Sequence, residues 1–397
     1  MTDFAATKAM FDLPEGMIYL DGNSLGPLPK AAAERIRRTV TDEWGKLLIT
    51  GWNKADWMGL PATIGDRIGR LIGAEPAHVV LGDTLSIKVY QALASALEMN
   101  PSRKIVLSDT GNFPSDLYMA EGLLRTLGDG YCLQTVAPEA IEAALSVDTA
   151  VLMLTEVDYR TGRKHDMAAL TARAHELGIV TVWDLAHSAG ALPVDVAGAG
   201  ADFAVGCTYK YLNSGPGGPA FIYVAPRHAN TVRPALSGWL GHEAPFAFDP
   251  GYRPAKGIER MRVGTPPVLQ MAALESAMDI WDMADIHDVR VQSIRLCDQF
   301  IAGVEGNCPE LALASPRDGD RRGSQVSFRF KEGYAVIQAL IARDVVGDFR
   351  APDVMRFSFT PLYIDEADVA RAVSTLADIM QHRFWDQGKF KTRARVT

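Results

Sequence analysis

Asp184 and Lys210 are the two residues of this chain whose type and position best suit chemistry. Asp184 directly follows the apolar run 179–183, and Lys210 lies among aromatic and small residues four positions after the run 202–206. Burial lowers the pKa of a lysine toward the neutral amine, which can hold an aldehyde as a Schiff base. A carboxylate at a strand end can hold a ribose, a metal or a protonated ring nitrogen. The ordinary alternatives are a helix N-cap and a surface lysine.

The elements around these two residues predict an α/β fold. Apolar runs of strand length occur at 150–155, 179–183, 201–205 and 220–224, and helical spacing occurs at 167–177. Such runs, separated by helices, are typical of a parallel sheet that is buried on both faces. Ligands of open α/β sheets bind outside the carboxyl ends of the strands. We therefore expect Asp184 and Lys210 to lie at that edge of the sheet.

Two glycine-containing segments have the composition of a possible anion site. The segment 82–89 (GDTLSIKV) predicts a turn that opens a helix, whose free backbone amides suit an anion. The segment 215–218 (GPGG) lacks the lysine pattern of a nucleotide-binding loop and predicts a tight turn behind Lys210. Only the first segment is therefore a candidate anion site.

The chain divides into three predicted parts. After Pro266 and Pro267 the pattern changes to a long amphipathic stretch over 268–304, which predicts one or two helices. Strands are predicted at 325–330 and 354–359, and a final helix begins near Asp365. We expect an N-terminal arm (1–54) that packs with the small domain, a large α/β domain (55–265) and a smaller α+β domain (266–397).

Composition excludes several classes of protein. The 397 residues are 48% hydrophobic and 22% charged, which is typical of globular proteins rather than disordered, collagen-like or coiled-coil chains. The formal net charge of −8 argues against non-specific binding to nucleic acid.

The cysteines and histidines give no sign of a metal site. The four cysteines form no CxxC pair, and the eight histidines form no HxH or HxxxH pair, so we expect no metal. Residues 1–16 lack a continuous apolar segment, and the long uncharged stretch 211–226 is broken by prolines and glycines. We expect a soluble cytoplasmic protein with no membrane partner.

Six motifs occur in chain order: 19–26 (YLDGNSLG), 111–116 (GNFPSD), 184–187 (DLAH), 207–213 (CTYKYLN), 238–243 (GWLGHE) and 262–267 (RVGTPP). Together they resemble the kynureninase family, in particular its bacterial members. This family lies within the fold-type-I enzymes that use pyridoxal 5′-phosphate (PLP) and are related to class V aminotransferases. The resemblance extends from about residue 19 to Pro361.

The resemblance implies a fold, a cofactor and a reaction. The fold is a large domain whose mostly parallel sheet is covered by helices, with a smaller α+β C-terminal domain. The reaction is the PLP-dependent hydrolysis of the Cβ–Cγ bond of L-kynurenine to anthranilate and L-alanine in tryptophan catabolism. The family also implies a homodimer, with Trp239 and Thr265 reaching into the neighbouring site.

The resemblance also assigns roles to residues that hold the cofactor. Lys210 corresponds to the Schiff-base lysine, Asp184 to the partner of the pyridinium nitrogen, and Phe113 to the aromatic residue that stacks on the ring. Tyr209 is our candidate acid or base beside Lys210. Further cofactor positions are Leu85, Ser86, Pro114, Ser115, Asp116, Thr155, His187, Trp239 and Thr265. Lys88 departs from the family, whose members usually carry asparagine there.

Three residues are assigned to the substrate by the same resemblance. Arg356, in the alternating stretch 354–359, corresponds to the arginine that grips the α-carboxylate, for which a planar fork of donors is suited. Trp52 and Thr265 correspond to residues that line the pocket for the aromatic ring. Because neither offers the polar partners that animal members carry, we expect L-kynurenine to be preferred over 3-hydroxykynurenine.

Two other functions remain open from the sequence. The first is another PLP reaction, such as cysteine desulfuration or transamination. A desulfurase usually carries histidine directly before its lysine, where this chain has Tyr209, and a reactive loop cysteine. The second is a PLP-binding regulator without catalysis, which would need an output domain for which 397 residues leave little room.

Overall fold

The computed structural model of the protein describes residues 1–393. Within these residues no helix is long and apolar enough to cross a membrane. The α-helices of the described residues are α1 (Phe4–Lys8), α2 (Lys30–Arg38), α3 (Gly45–Leu47), α4 (Gly51–Lys54), α5 (Leu60–Leu71), α6 (Leu85–Met99), α7 (Pro114–Leu127), α8 (Ile141–Ala144), α9 (Met167–Glu176), α10 (Val268–Trp281), α11 (Ile286–Asn307), α12 (Gly333–Ile341), α13 (Glu366–Gln381) and α14 (Gly388–Lys391).

The strands form one large sheet, one smaller sheet and two short pairs. The strands are β1 (Phe11–Asp12), β2 (Ile18–Tyr19), β3 (Leu28–Pro29), β4 (Val79–Leu81), β5 (Ile105–Asp109), β6 (Cys132–Val136), β7 (Thr149–Thr155), β8 (Val180–Asp184), β9 (Phe203–Gly206), β10 (Phe221–Val224), β11 (Ala312–Leu313), β12 (Gln325–Arg329), β13 (Val345–Val346), β14 (Asp348–Arg350) and β15 (Val354–Ser358).

The large sheet confirms the predicted α/β fold with a mostly parallel sheet. Its order is β4-β10-β9-β8-β7-β5-β6, and only β10 runs antiparallel to its neighbours among these described strands. Every residue of β7, β8, β9 and β10 is buried, as continuous apolar runs predict. The four predicted strands and the predicted helix at 167–177 are present, with ends shifted by one or two residues.

Two hydrophobic cores lie on opposite faces of this sheet. Along β7, Leu152 and Leu154 belong to one core, whereas Val151 and Met153 belong to the other. This alternation follows from the strand period of two, which sends successive side chains to opposite faces. Both faces are apolar because helices cover both of them. The sheet is therefore a rigid platform whose strand ends are fixed in position.

The C-terminal part forms the smaller sheet, β11-β12-β15-β14, whose strands are all antiparallel. The amphipathic stretch after Pro267 forms the two helices α10 and α11. The N-terminal arm joins this region, since β2 pairs with β13 and the amide of Ser358 donates to the carbonyl of Leu20 at 2.7 Å. The arm thus contacts the C-terminal region, and the division into residues 1–54, 55–265 and 266–397 stays a prediction.

Candidate active site

The candidate active site lies where β7, β8 and β9 end at the same edge of the large sheet. Thr155 and Asp184 are the last residues of β7 and β8, and they are paired in register. Lys210 lies four residues after the end of β9, which pairs with β8. The parallel strands therefore bring together residues that are far apart in sequence, as expected for an open α/β sheet.

Asp184 is buried, and few hydrogen-bond donors contact its carboxylate. Its Oδ1 accepts a hydrogen bond from the Ala186 amide at 2.9 Å, and its Oδ2 lies 3.4 Å from the Thr155 hydroxyl. Burial raises the pKa of Asp184 above its usual value, although the charge of Lys210 and the hydrogen bonds to the carboxylate act against this rise. Because Lys210 favours the ionised form, Asp184 is suited to hold a positively charged ring nitrogen.

A second buried carboxyl group, that of Asp116 in the first turn of α7, lies beside Asp184. Burial, the charge of Asp184 and a hydrogen bond to Asp184 raise the pKa of Asp116 well above its usual value. The Oδ2 atom of Asp116 has no hydrogen-bond partner within the described part of the chain. We infer that Asp116 is the protonated member of this pair and that Asp184 is the ionised one.

Lys210 is held by a histidine. The side chain is 8% exposed, and its Nζ lies 2.9 Å from Nε2 of His187. Burial lowers the pKa of His187 well below its usual value, and the charge of Lys210 acts in the same direction. His187 is therefore neutral and accepts a hydrogen bond from the ammonium group. Its other ring nitrogen, Nδ1, is buried and has no partner among residues 1–393.

Two aromatic rings flank the lysine nitrogen. Nζ of Lys210 lies 5.7 Å from the ring centre of Phe113 and 5.9 Å from that of Tyr209. Phe113 is 39% exposed, whereas Asp184 is buried, so the Phe113 ring is open to a flat ligand that stacks on it. Interaction with the Cys207 thiol and burial raise the pKa of Tyr209, which keeps its phenol protonated at neutral pH.

The candidate anion site lies where the starts of the two helices α6 and α7 meet. Thr84 is the N-cap of α6 but makes no side-chain capping bond, so the first amides of α6 are free for a ligand. The hydroxyl groups of Ser86 and Ser115 lie 3.0 Å apart and join the starts of α6 and α7. The structure therefore places Leu85, Ser86, Pro114 and Ser115 together, next to Phe113 and Asp116.

Arg356 is buried on β15, and part of its guanidinium group is already paired. Nε donates to Oδ1 of Asp348 at 2.6 Å, and Nη2 donates to the same carboxylate. Nη1 donates to the Tyr159 carbonyl at 2.6 Å, and Nη2 also donates to the Ser24 hydroxyl at 2.9 Å. Four of the five N–H groups are thus used, so one N–H of Nη1 is left for a substrate carboxylate, and a second becomes free only if the Ser24 hydroxyl is displaced from Nη2.

The remaining predicted site residues lie apart from the lysine. Trp52 is half-buried and packs edge-on against Trp57, with ring centres 5.4 Å apart. Trp239 is 44% exposed, and Thr265 is also exposed. Within residues 1–393, no hydrogen bond or ring contact joins these side chains to Lys210 or Asp184.

Sequence reasoning missed two residues that position the site. Asn112 accepts hydrogen bonds from the Thr155 hydroxyl at 2.5 Å and from the Phe113 amide at 2.7 Å, so it orders both residues. Its position within the motif 111–116 was the available signal. Asp348 pairs with Arg356 across adjacent strands, and no motif marked it.

Comparison with known proteins places the chain in a family. Residues 289–376 match the model of the kynureninase C-terminal domain. A protein named kynureninase from Pseudomonas fluorescens is 49% identical over 99% of this chain and 96% of its own length. Another protein of that name, from Burkholderia pseudomallei (strain 1106a), is 48% identical with the same coverage.

Solved structures share the fold at much lower identity. A C-DES variant with glycine linked covalently to its PLP cofactor is 19% identical, with a TM-score of 0.79 over 94% of this chain and 99% of its own. The cysteine desulfurase CsdA from Escherichia coli is 18% identical, with a TM-score of 0.79 over 96% of this chain and 99% of its own. These likenesses establish the fold-type-I architecture, and the near full-length identity to the bacterial relatives shows that the chain belongs to the kynureninase family.

Proposed function

We infer that this protein is a PLP-dependent kynureninase, which hydrolyses L-kynurenine to anthranilate and L-alanine. The observation that carries the proposal is the pair of Lys210 and Asp184 at adjacent strand ends, in a chain 49% identical to a bacterial protein named kynureninase. The substrate is thus a small molecule that carries both an amino-acid group and an aromatic ketone.

The side chains of the site fit the cofactor. Lys210 would bind its aldehyde carbon, Asp184 its ring nitrogen and Phe113 one face of its ring. The uncapped start of α6, with Ser86, would bind its phosphate. The unpartnered Nδ1 of His187 is a further polar atom that a ligand in this position would satisfy. When bound, PLP supplies a ring that accepts the electron pair left when Cα loses its proton.

Four residues of the chain have separate roles in proton transfer and in binding the substrate. Asp184 would keep the ring nitrogen of bound PLP protonated, and Lys210, as a neutral amine, would remove the proton from Cα. Arg356 holds the α-carboxylate and thereby fixes which bond of Cα faces Lys210. The protonated Tyr209 phenol is suited to donate a proton. Overall, the bond between Cβ and the ketone carbon Cγ breaks, and one water supplies a hydroxyl group to Cγ and a proton to Cβ. This gives the carboxylate of anthranilate and the methyl group of alanine.

Incubation of the purified protein with L-kynurenine tests the proposal. We expect anthranilate, detected by its fluorescence, and alanine in equal amounts. The same assay with L-cysteine tests the desulfurase alternative. Formation of alanine and a persulfide from L-cysteine, without turnover of L-kynurenine, would overturn the proposal. With 3-hydroxykynurenine we expect a lower kcat/KM, because desolvating an unpartnered hydroxyl costs about 1–3 kcal/mol.

Arg356 gives a kinetic prediction. Arg356→Lys keeps one positive charge but loses the planar fork, so we expect a roughly ten- to hundredfold loss in kcat/KM, mostly through KM. Arg329→Lys is the matched control, because Arg329 lies on the neighbouring strand β12 and its guanidinium is bound to the exposed-loop residue Asp353. Equal kinetics for both variants would show that Arg356 does not bind the substrate.

We further propose a homodimer that acts in the cytoplasm. Several large hydrophobic side chains are exposed on one chain, as is typical of a protein-protein interface. They include Trp44, Ile49, Trp239, Phe246 and Phe248. All four cysteines are free thiols, which is typical of proteins in a reducing compartment. Sedimentation equilibrium of the purified protein measures the proposed dimer directly.

A further inference from the structure

Lys88 is a completely buried lysine at the start of α6, beside the proposed phosphate site. Its Nζ donates to Oε1 of Gln91 at 2.9 Å and to the carbonyl of Met261 at 3.3 Å. It also lies 3.4 Å from Oδ2 of Asp83, with which it forms an ion pair. Burial lowers the pKa of Lys88 to about 8, whereas the Asp83 carboxylate favours the charged form. A buried charge is costly and requires an explanation.

The ammonium group lies beneath the turn that leads into α6. A methyl group placed on Gly82 would lie 3.8 Å from Nζ of Lys88. The turn itself is fixed to the start of β10, because the Gly82 amide donates to the Ala220 carbonyl and the Ala220 amide donates to the Asp83 carbonyl, both at 3.0 Å. Asp83 adopts a positive φ of 57°, which directs its side chain back toward α6 and Lys88.

The charges near this turn decide how well it binds a phosphate. The free amides of α6 attract an anion. The carboxylate of Asp83, one residue before the N-cap, repels an anion, and Lys88 is its only ion-pair partner among residues 1–393. When Lys88 neutralises the Asp83 charge, the positive N-terminal end of α6 attracts the phosphate without opposition from that carboxylate.

We propose that Lys88 is a positioning residue for the cofactor phosphate: its ammonium group neutralises Asp83 and fixes the turn 82–84 against the Met261 carbonyl. The free amides of α6 then bind a phosphate dianion without repulsion from the turn. This inference rests on the proposed function, because it takes PLP as the ligand. It concerns only the binding of the phosphate and does not depend on the reaction that takes place at Lys210.

Binding of PLP and of pyridoxal, which lacks the phosphate, tests this role. We expect Lys88→Met to raise the Kd of PLP roughly ten- to hundredfold, the range for loss of a charged interaction, and to leave the Kd of pyridoxal nearly unchanged. The matched control is Lys104→Met, which removes the same charge from an exposed lysine at the amino end of β5. Both constants are measured on the apoenzyme from the absorbance of the bound cofactor, without any turnover.

A second substitution separates charge from packing. In the double variant Lys88→Met with Asp83→Asn, the repelling carboxylate is also gone, so we expect most of the PLP affinity to return. If Lys88→Met does not fold, Lys88→Gln removes the charge with a smaller change in polarity, and thermal unfolding of the apoenzymes checks their stability.

The outcomes are distinguishable from failure of the proposed function. An equal loss for PLP and pyridoxal, no loss for either, or no recovery in the double variant would each overturn the role of Lys88. If instead the wild-type protein bound neither PLP nor pyridoxal, the proposed function itself would be wrong.

Discussion

Replacing Lys210 by alanine is expected to remove the visible absorbance of the bound cofactor and to lower kcat at least about a thousandfold. The amine is needed twice, to hold the cofactor and to accept the proton from Cα, and general base catalysis alone contributes roughly 10²–10⁴. Among the described residues the only other buried lysine is Lys88, which cannot take its place because its Nζ is bound to Gln91 and Met261. Absorbance spectra and anthranilate fluorescence of the variant measure both effects.

The control for this prediction is Lys104→Ala, an exposed lysine at the far end of the sheet, which we expect to behave as wild type. Reduction of the wild-type protein with borohydride, followed by peptide mapping, should place the label on Lys210. A label on Lys88 or on any surface lysine would show that the assignment of the cofactor lysine is wrong.

The strand-end residues of the site could be predicted from the sequence because the strands are short, fully apolar and separated by helices. The position of Asp184 follows from the end of an apolar run, and it is the last residue of β8 in the structure. The antiparallel direction of β10 could not be predicted, since a four-residue apolar run looks the same in both directions. The two-residue strands β2 and β13 have no period to detect.

Pairings between distant residues were beyond single-sequence reasoning. The ion pair of Arg356 with Asp348 joins two strands through a turn, and many charged residues near Arg356 in sequence were equally plausible partners. Resemblance supplied the cofactor position of Asp116, but not its hydrogen bond to Asp184. That contact depends on how α7 packs beside the end of β8, which neither spacing nor composition determines.

The paired carboxyl groups of Asp184 and Asp116 differ in what surrounds them. Asp184 accepts a backbone hydrogen bond from Ala186 and is close enough to Lys210 for that charge to favour its ionised form. Asp116 is buried, is repelled by Asp184 and has an oxygen atom without a donor among the described residues. Two adjacent buried carboxyl groups cannot both ionise cheaply, so a proton is retained on one of them. That proton is best placed on Asp116, between the two groups.

Asparagine substitutions at these two positions should therefore have unequal effects. Asp184→Asn removes the negative charge that keeps the ring nitrogen protonated, so we expect kcat/KM to fall roughly 10²–10³-fold, as for loss of a preorganised electrostatic group in a buried site. Asp116→Asn replaces a neutral acid by a neutral amide that can still donate to Asp184, so we expect a loss within about tenfold. Steady-state kinetics with L-kynurenine, together with the absorbance of the bound cofactor, measures both variants. A larger loss for Asp116→Asn than for Asp184→Asn would mean that the ionised carboxylate of the pair is Asp116.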